Sequence, residues 1–100
     1  MPKAYWIARV DVHDEEGYKP YSAANGAIFA KYGGRFLVRG GPFNAVEGPA
    51  RSRNVVIEFV DLATAKACYD SPEYQANLKI RQATSTGELV IIEGYDGPQP

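Results

Sequence analysis

Three side chains that could handle a carbonyl or a proton lie in strand-like segments: Arg9, Arg39 and Glu58. A guanidinium orients a carboxylate or carbonyl through parallel N–H bonds, and a nearby glutamate can act as acid and base. On strands these three are expected to point to one side of a sheet, with Glu58 reachable from either arginine. Their structural reading is an ion-pair network at a dimer interface, since buried pairs persist only when fully paired. Such networks imitate active sites, and that reading carries the greater weight.

The second set is aromatic: Trp6 with Tyr18, Tyr21, Tyr32, Tyr69 and Tyr74. Its functional reading is a cleft between helices and sheet, closed below by Trp6, for a flat or aromatic ligand. Its structural reading, favoured by helical spacing, is a core in which each hydroxyl finds a carbonyl or water. The candidate ligand-binding residues are therefore Arg9, Arg39, Glu58, Trp6, Tyr18, Tyr69 and Tyr74. No catalytic residue is assigned.

One histidine, His13, and one cysteine, Cys68, leave no multi-histidine or cysteine metal site and no internal disulfide. His13 falls at a strand–helix junction where polar residues cap, and Cys68 reads as a small buried hydrophobe. Gly33-Gly34 and Gly40-Gly41 lack the spacing and lysine of a phosphate loop. Neither a metal nor a cofactor is expected.

These residues must be placed by secondary structure. Ala4 to Val12 is a strand of β-branched and aromatic residues. Asp14 caps a helix whose face carries Tyr18, Tyr21, Asn25, Ile28, Phe29 and Tyr32, with a kink expected near Pro20 and an end at Gly33-Gly34. Arg35 to Gly40 is a second strand, Gly41 to Ser52 a long exposed connection, and Asn54 to Val60 a third strand. Asp61 caps a helix over Leu62 to Asp70. Ser71 and Pro72 start another that reaches about Ala83. Thr84 to Gly87 reads as a turn, Glu88 to Glu93 as the fourth strand, and Gly94 to Pro100 as a surface tail.

The order βαββαβ predicts one α+β, ferredoxin-like domain over residues 1–100, an antiparallel sheet of order 4-1-3-2 with helices on one face. Period-2 alternation assigns Trp6, Ala8, Val10, Phe36, Val38, Val55, Ile57, Phe59, Val90 and Ile92 to the helix side. The other face mixes Tyr5, Ile7, Leu37, Val56, Leu89 and Ile91 with Arg9, Asp11, Arg35, Arg39, Glu58 and Glu93. Four strands about 4.8 Å apart and about 17 Å long present roughly 300 Å² in flat projection, half of it apolar. A second copy of the same face is the simplest cover, which predicts a homodimer closing a barrel across a two-fold axis.

Net charge −1 argues against nucleic acid, which selects a basic excess. The third strand, Arg53 to Phe59, also lacks the stacking aromatics of an RNA-recognition domain. No apolar run approaches the roughly 20 residues of a membrane span, and the start Met1 to Trp6 lacks a signal-peptide stretch. A cytoplasmic location is expected.

The strings YWIARVDV (Tyr5 to Val12), AKYGGRFLVRGG (Ala30 to Gly41), NVVIEF (Asn54 to Phe59), YDSPEYQ (Tyr69 to Gln75) and the ending VIIEGYDGPQP resemble the bacterial domain-of-unknown-function family 1330 over nearly the whole chain. The resemblance implies the dimeric α+β barrel superfamily, which holds cofactor-independent monooxygenases, lactone isomerases, haem-associated enzymes and proteins of no known activity. It implies no catalytic residue, though it admits a haem-ligand role for His13 beside the plain solvated one. Two functions stand side by side. One is a cofactor-independent enzyme of monooxygenase or isomerase type acting on a small organic molecule. The other is a non-catalytic small-molecule-binding or stress-associated homodimer.

Overall fold

Each helix begins where a short polar side chain can accept from the orphaned amides of a first turn. In the computed structural model, which describes residues 2–100, Asp14 accepts from Gly17 N at 3.0 Å and opens α1 (Glu15–Lys31). Asp61 accepts from Thr64 N at 2.8 Å and opens α2 (Leu62–Asp70). Ser71 accepts from Tyr74 N at 3.2 Å and opens α3 (Pro72–Thr84), with Pro72 in the first turn where its missing N–H costs nothing. Helix α1 continues through Pro20, which only deprives the Glu16 carbonyl of its helical donor. It ends as expected: Gly33 takes a left-handed φ of +71°, and the Gly34 amide donates to the Phe29 carbonyl at 2.8 Å.

Strands β1 (Ala4–Val12), β2 (Arg35–Arg39), β3 (Arg53–Phe59) and β4 (Ser85–Glu93) form one antiparallel sheet of order β2-β3-β1-β4. This is the predicted 4-1-3-2 order, and the fold is ferredoxin-like α+β. The described residues contain no helix long and apolar enough to cross a membrane.

Two details of register differ from the sequence expectation. First, Thr84 to Gly87 is not a turn: α3 ends at Thr84 and β4 starts at Ser85, opposite Val12. The Thr84 and Ser85 hydroxyls donate at 2.7 Å to the Ile80 and Arg81 carbonyls, while Thr84 O accepts the His13 and Asp14 amides. Those bonds close the helix without a loop. Gly87 lies opposite Val10, where a Cβ would press on the Arg9 carbonyl and stand 2.6 Å from Val10 Cγ1. In this register Leu89 pairs with Ala8 and Ile91 with Trp6, so Leu89 and Ile91 face the helices while Val90 and Ile92 are exposed. The β4 assignment was inverted because ELVIIE is apolar on both faces and carries no parity of its own.

Second, β2 bulges between Phe36 and Val38. Phe36 pairs with Ile57 and packs on the core, but Val38 pairs with Val56 and Arg39 with Val55. The extra residue reverses the alternation beyond it. Val38 turns to the open face, and Arg39 to the helix side.

The core sits between sheet and helices. Trp6 is its centre, 1% exposed, with Phe29 and Tyr74 edge-on at 5.1 and 4.9 Å. Its indole N–H donates to the Ala65 carbonyl at 2.9 Å, tying β1 to α2. Ile57 and Phe59 are buried on the predicted side.

Candidate functional site

Between the sheet and helices α1 and α3 the core leaves a narrow slot, about 30 Å³ inside and open to solvent at its mouth. Trp6, Phe29 and Phe36 supply apolar walls, and Tyr18 and Tyr21 project into it from α1. Arg39, Arg53 and Arg81 join them from β2, β3 and α3. The Arg39 guanidinium lies 4.2 Å from the Phe36 ring centre and that of Arg53 lies 5.9 Å from Tyr18. Stacking on aromatic faces holds such groups without neutralising them.

Hydrogen bonds behind the slot fix its polar edge. Asn77 donates through Nδ2 to the Tyr21 carbonyl at 3.1 Å and to Asn25 Oδ1 at 2.9 Å. Asn25 therefore keeps its own amide N–H groups for the slot it lines. The Tyr21 and Tyr74 hydroxyls share a buried bond of 2.7 Å. Burial, reinforced by that neighbour, pushes the Tyr74 hydroxyl far above its usual pKa. Burial also raises Tyr18, with Tyr21 adding to the effect and Arg53 opposing it. Both are neutral donors at physiological pH, and the slot lining contains no carboxylate or histidine. What it can do is stack a flat molecule and donate hydrogen bonds to it.

The sequence candidates divide. Trp6, Tyr18 and Arg39 line the slot; Tyr69 and Tyr74 stand behind Trp6 as packing, at 5.8 and 4.9 Å between ring centres. Arg9, Arg39 and Glu58 do not meet, which corrects the expected shared face. The bulge turns Arg39 to the helix side. On the open face Arg9 pairs across the sheet with Asn54 and Glu88, whereas Glu58 lies opposite Tyr5. Glu58 takes its cations from elsewhere, Lys3 at 3.2 Å and Arg35 at 3.9 Å. Four residues of strand therefore separate Arg9 from Glu58, about 13 Å.

Sequence reasoning missed Arg53, Arg81 and Asn25 as slot residues. Arg53 had a signal, since it shares parity with the buried Val55 and Ile57. It also missed Arg51, which from the β2–β3 connection donates to Asp11 Oδ2 at 2.9 Å and Glu88 Oε2 at 2.5 Å. Its guanidinium holds both carboxyls below their usual range, and they in turn raise Arg51. Cys68 is fully buried, its thiol pushed up to about 12 chiefly by burial, and His13 is exposed. Among the described residues no group of three or more His, Cys, Asp or Glu side chains could hold a metal ion.

Known structures repeat this architecture. A protein of unknown function from Rhodopseudomonas palustris superposes with a TM-score of 0.78 at 18% identity, covering 96% of this chain and 85% of its own. SnoaB, a cofactor-independent oxygenase from Streptomyces nogalater, gives 0.69 at 17% identity, over 100% and 97%. A dimeric protein of unknown function and ferredoxin-like fold from Bacteroides fragilis gives 0.62 at 20% identity, over 92% and 96%. At these identities the likeness is one of fold. No curated protein matches the chain. The domain-of-unknown-function family 1330 matches residues 3–95, with the ferredoxin-like sheet and all three helices inside that span, and the chain belongs to this family.

Proposed function

We propose that this protein is a two-fold dimer that binds one flat, largely apolar organic molecule in the slot of each protomer. The observation that carries the reading is the slot itself, a gap between sheet and helices walled by Trp6, Tyr18, Phe29 and Phe36 in a core otherwise closed by aromatic contacts. Its free interior is about 30 Å³, below the ~300–1,000 Å³ of small-molecule sites, so a ligand enters only as the walls at the mouth part. The fold shared with a cofactor-independent oxygenase supports chemistry of that kind, the monooxygenase or isomerase type, on the bound molecule. The lack of a carboxylate or histidine in the lining favours the second reading, a binding protein without turnover. In an enzyme of this design the substrate's own acidity would have to supply the reactive anion.

The dimer part rests on the open face. Ile7, Leu37, Val38, Val90 and Ile92 are all exposed there. The chain exposes 6317 Å², against about 5,600 Å² for a compact monomer of its mass. The exposed connection over residues 40–50 contributes to this excess together with the open face. A similar structure described as dimeric supports the same assembly. The single cysteine, buried and free, suits a reducing, cytoplasmic setting.

Trp6 is the only tryptophan, so its fluorescence reports on the slot directly. Titration with neutral 2-naphthamide should quench it saturably, and Ser22→Phe, which fills the slot from α1 where Ser22 lines it and leaves Trp6 the only tryptophan, should abolish the effect. No saturable change in Trp6 emission up to the solubility limit would end the slot reading. Oxygen uptake with a flat hydroxyarene and no added cofactor would then separate enzyme from binding protein.

A further inference from the structure

Two donors in the slot are left without acceptors. Arg53 Nε and Arg81 Nε are buried, and neither has a hydrogen-bond partner among the described residues. A guanidinium carries five donors and no acceptor, and it cannot shed its charge on burial. A desolvated, unpaired donor of this kind is costly, and stored strain or a bound water, ion or ligand accounts for it.

Among the described residues no other buried side-chain nitrogen or oxygen is left unpartnered, although Arg9 on the open face also forms no ion pair. Arg51 is bonded to Asp11 and Glu88, and Arg35 lies beside Glu58. Among the described residues, Arg39, Arg53 and Arg81, the three that line the slot, form no ion pair. Glu15 and Arg53 share the adjoining groove, yet they are not paired. The chain as a whole carries a net charge of −1, so the cluster is a local concentration and not one part of a basic surface. Gly40 adopts φ +68°, and a Cβ there would stand 2.7 Å from Arg53 Nη1. The left-handed φ is what calls for glycine here, and a Cβ would only push the mobile guanidinium tip aside.

We propose that the slot is an anion site whose ligand is a flat aromatic carboxylate, its ring against the aromatic lining at the slot mouth and its carboxylate taken by Arg53 and Arg81. This deepens the slot reading and rests on it. Arginine and carboxylate are matched in plane and in spacing, and exclusion of water by the aromatic walls strengthens the pairing. Arg39, stacked on Phe36 at the end of β2, adds positive charge at the mouth, and the Asn25 amide offers a neutral donor for a second oxygen.

The test compares 2-naphthoate with 2-naphthamide, equal in shape and different in charge, by calorimetry on the intact protein. The acid is expected to bind at least ~10-fold more tightly, as a charge-assisted pair requires. Arg53→Gln and Arg81→Gln should reduce that preference to below ~3-fold while amide binding persists, since only the charged contact is lost. Equal binding of acid and amide by the native protein would overturn the anion site and leave the slot standing. Binding of neither would overturn both. A preference for the acid that survives both substitutions would also overturn the proposal, because it places the anion elsewhere. Should either variant fail to fold, nitrogen-15 spectra of the native protein decide: two arginine Nε–H resonances must move with naphthoate and stay with naphthamide.

Discussion

Among single side chains, the tyrosine pair behind the slot shows how burial and hydrogen bonding combine. Tyr74 is fully buried and its hydroxyl meets that of Tyr21 at 2.7 Å. Tyr74→Phe leaves one buried hydroxyl unpartnered and should cost ~1–3 kcal/mol in a denaturant melt. The sign of its pH dependence follows from the raised pKa. A phenol whose folded pKa lies above its unfolded value of 10.0 contributes fully below pH 10, and that contribution is lost as pH rises towards the folded pKa. Stability should therefore fall on the alkaline side, with tyrosinate absorbance growing as the protein unfolds. The alkaline limb should be shallower in Tyr74→Phe, and an unchanged limb would contradict the buried assignment. Glu58 is the opposite case. Its partners Lys3 and Arg35 are 56% and 71% exposed, so its ion pairs are each worth only ~0–1 kcal/mol.

Among elements, the decisive event is strand parity. β1 and β3 announce their buried faces, because Trp6, Val10, Ile57 and Phe59 share a wholly apolar face while Arg9, Asp11 and Glu58 fall on the other. β4 does not, and its orientation comes from pairing with β1, where Gly87 alone fits against Val10. Neighbouring residues of β4 should therefore respond differently to substitution. Ile91→Ala removes packing from the core cluster and should cost ~1–4 kcal/mol at any protein concentration. Ile92→Ala removes an exposed side chain, and its cost should vanish at concentrations low enough to separate subunits. Melts of both variants over a range of dilutions check this, and equal costs at every dilution would contradict the register. In β2 one bulged residue turns Arg39 from the open face to the slot and dismantles the constellation of Arg9, Arg39 and Glu58.

For the whole molecule, two layers leave one sheet face bare. The shortest dimension is 17 Å, enough for one sheet and one layer of helices, and among the described residues nothing covers Ile7, Val90 or Ile92. Static light scattering at micromolar concentration should give about twice 11.0 kDa. Ile7→Lys combined with Val90→Asp should shift the mass towards the monomer without loss of secondary structure. A native chain that remains monomeric at high concentration would remove the barrel.

Composition, caps and periodicity were sufficient for the element order, the sheet topology and most of the core. These are local or statistical properties: Asp14, Asp61 and Ser71 bond to amides three residues away, and alternation in β1 and β3 requires no partner to be read. The slot was only half visible. Trp6 and Tyr18 could be nominated from aromatic content and spacing, and Arg39 was nominated for the opposite face. Arg53 and Arg81 lie 28 residues apart on a strand and a helix, and their convergence depends on how α3 packs across the sheet. The bulge in β2 and the parity of β4 are likewise set by the neighbouring strand. A two-residue alternation fixes which side chains share a face, but only a hydrogen-bonded partner decides where the count is broken and which face turns inward.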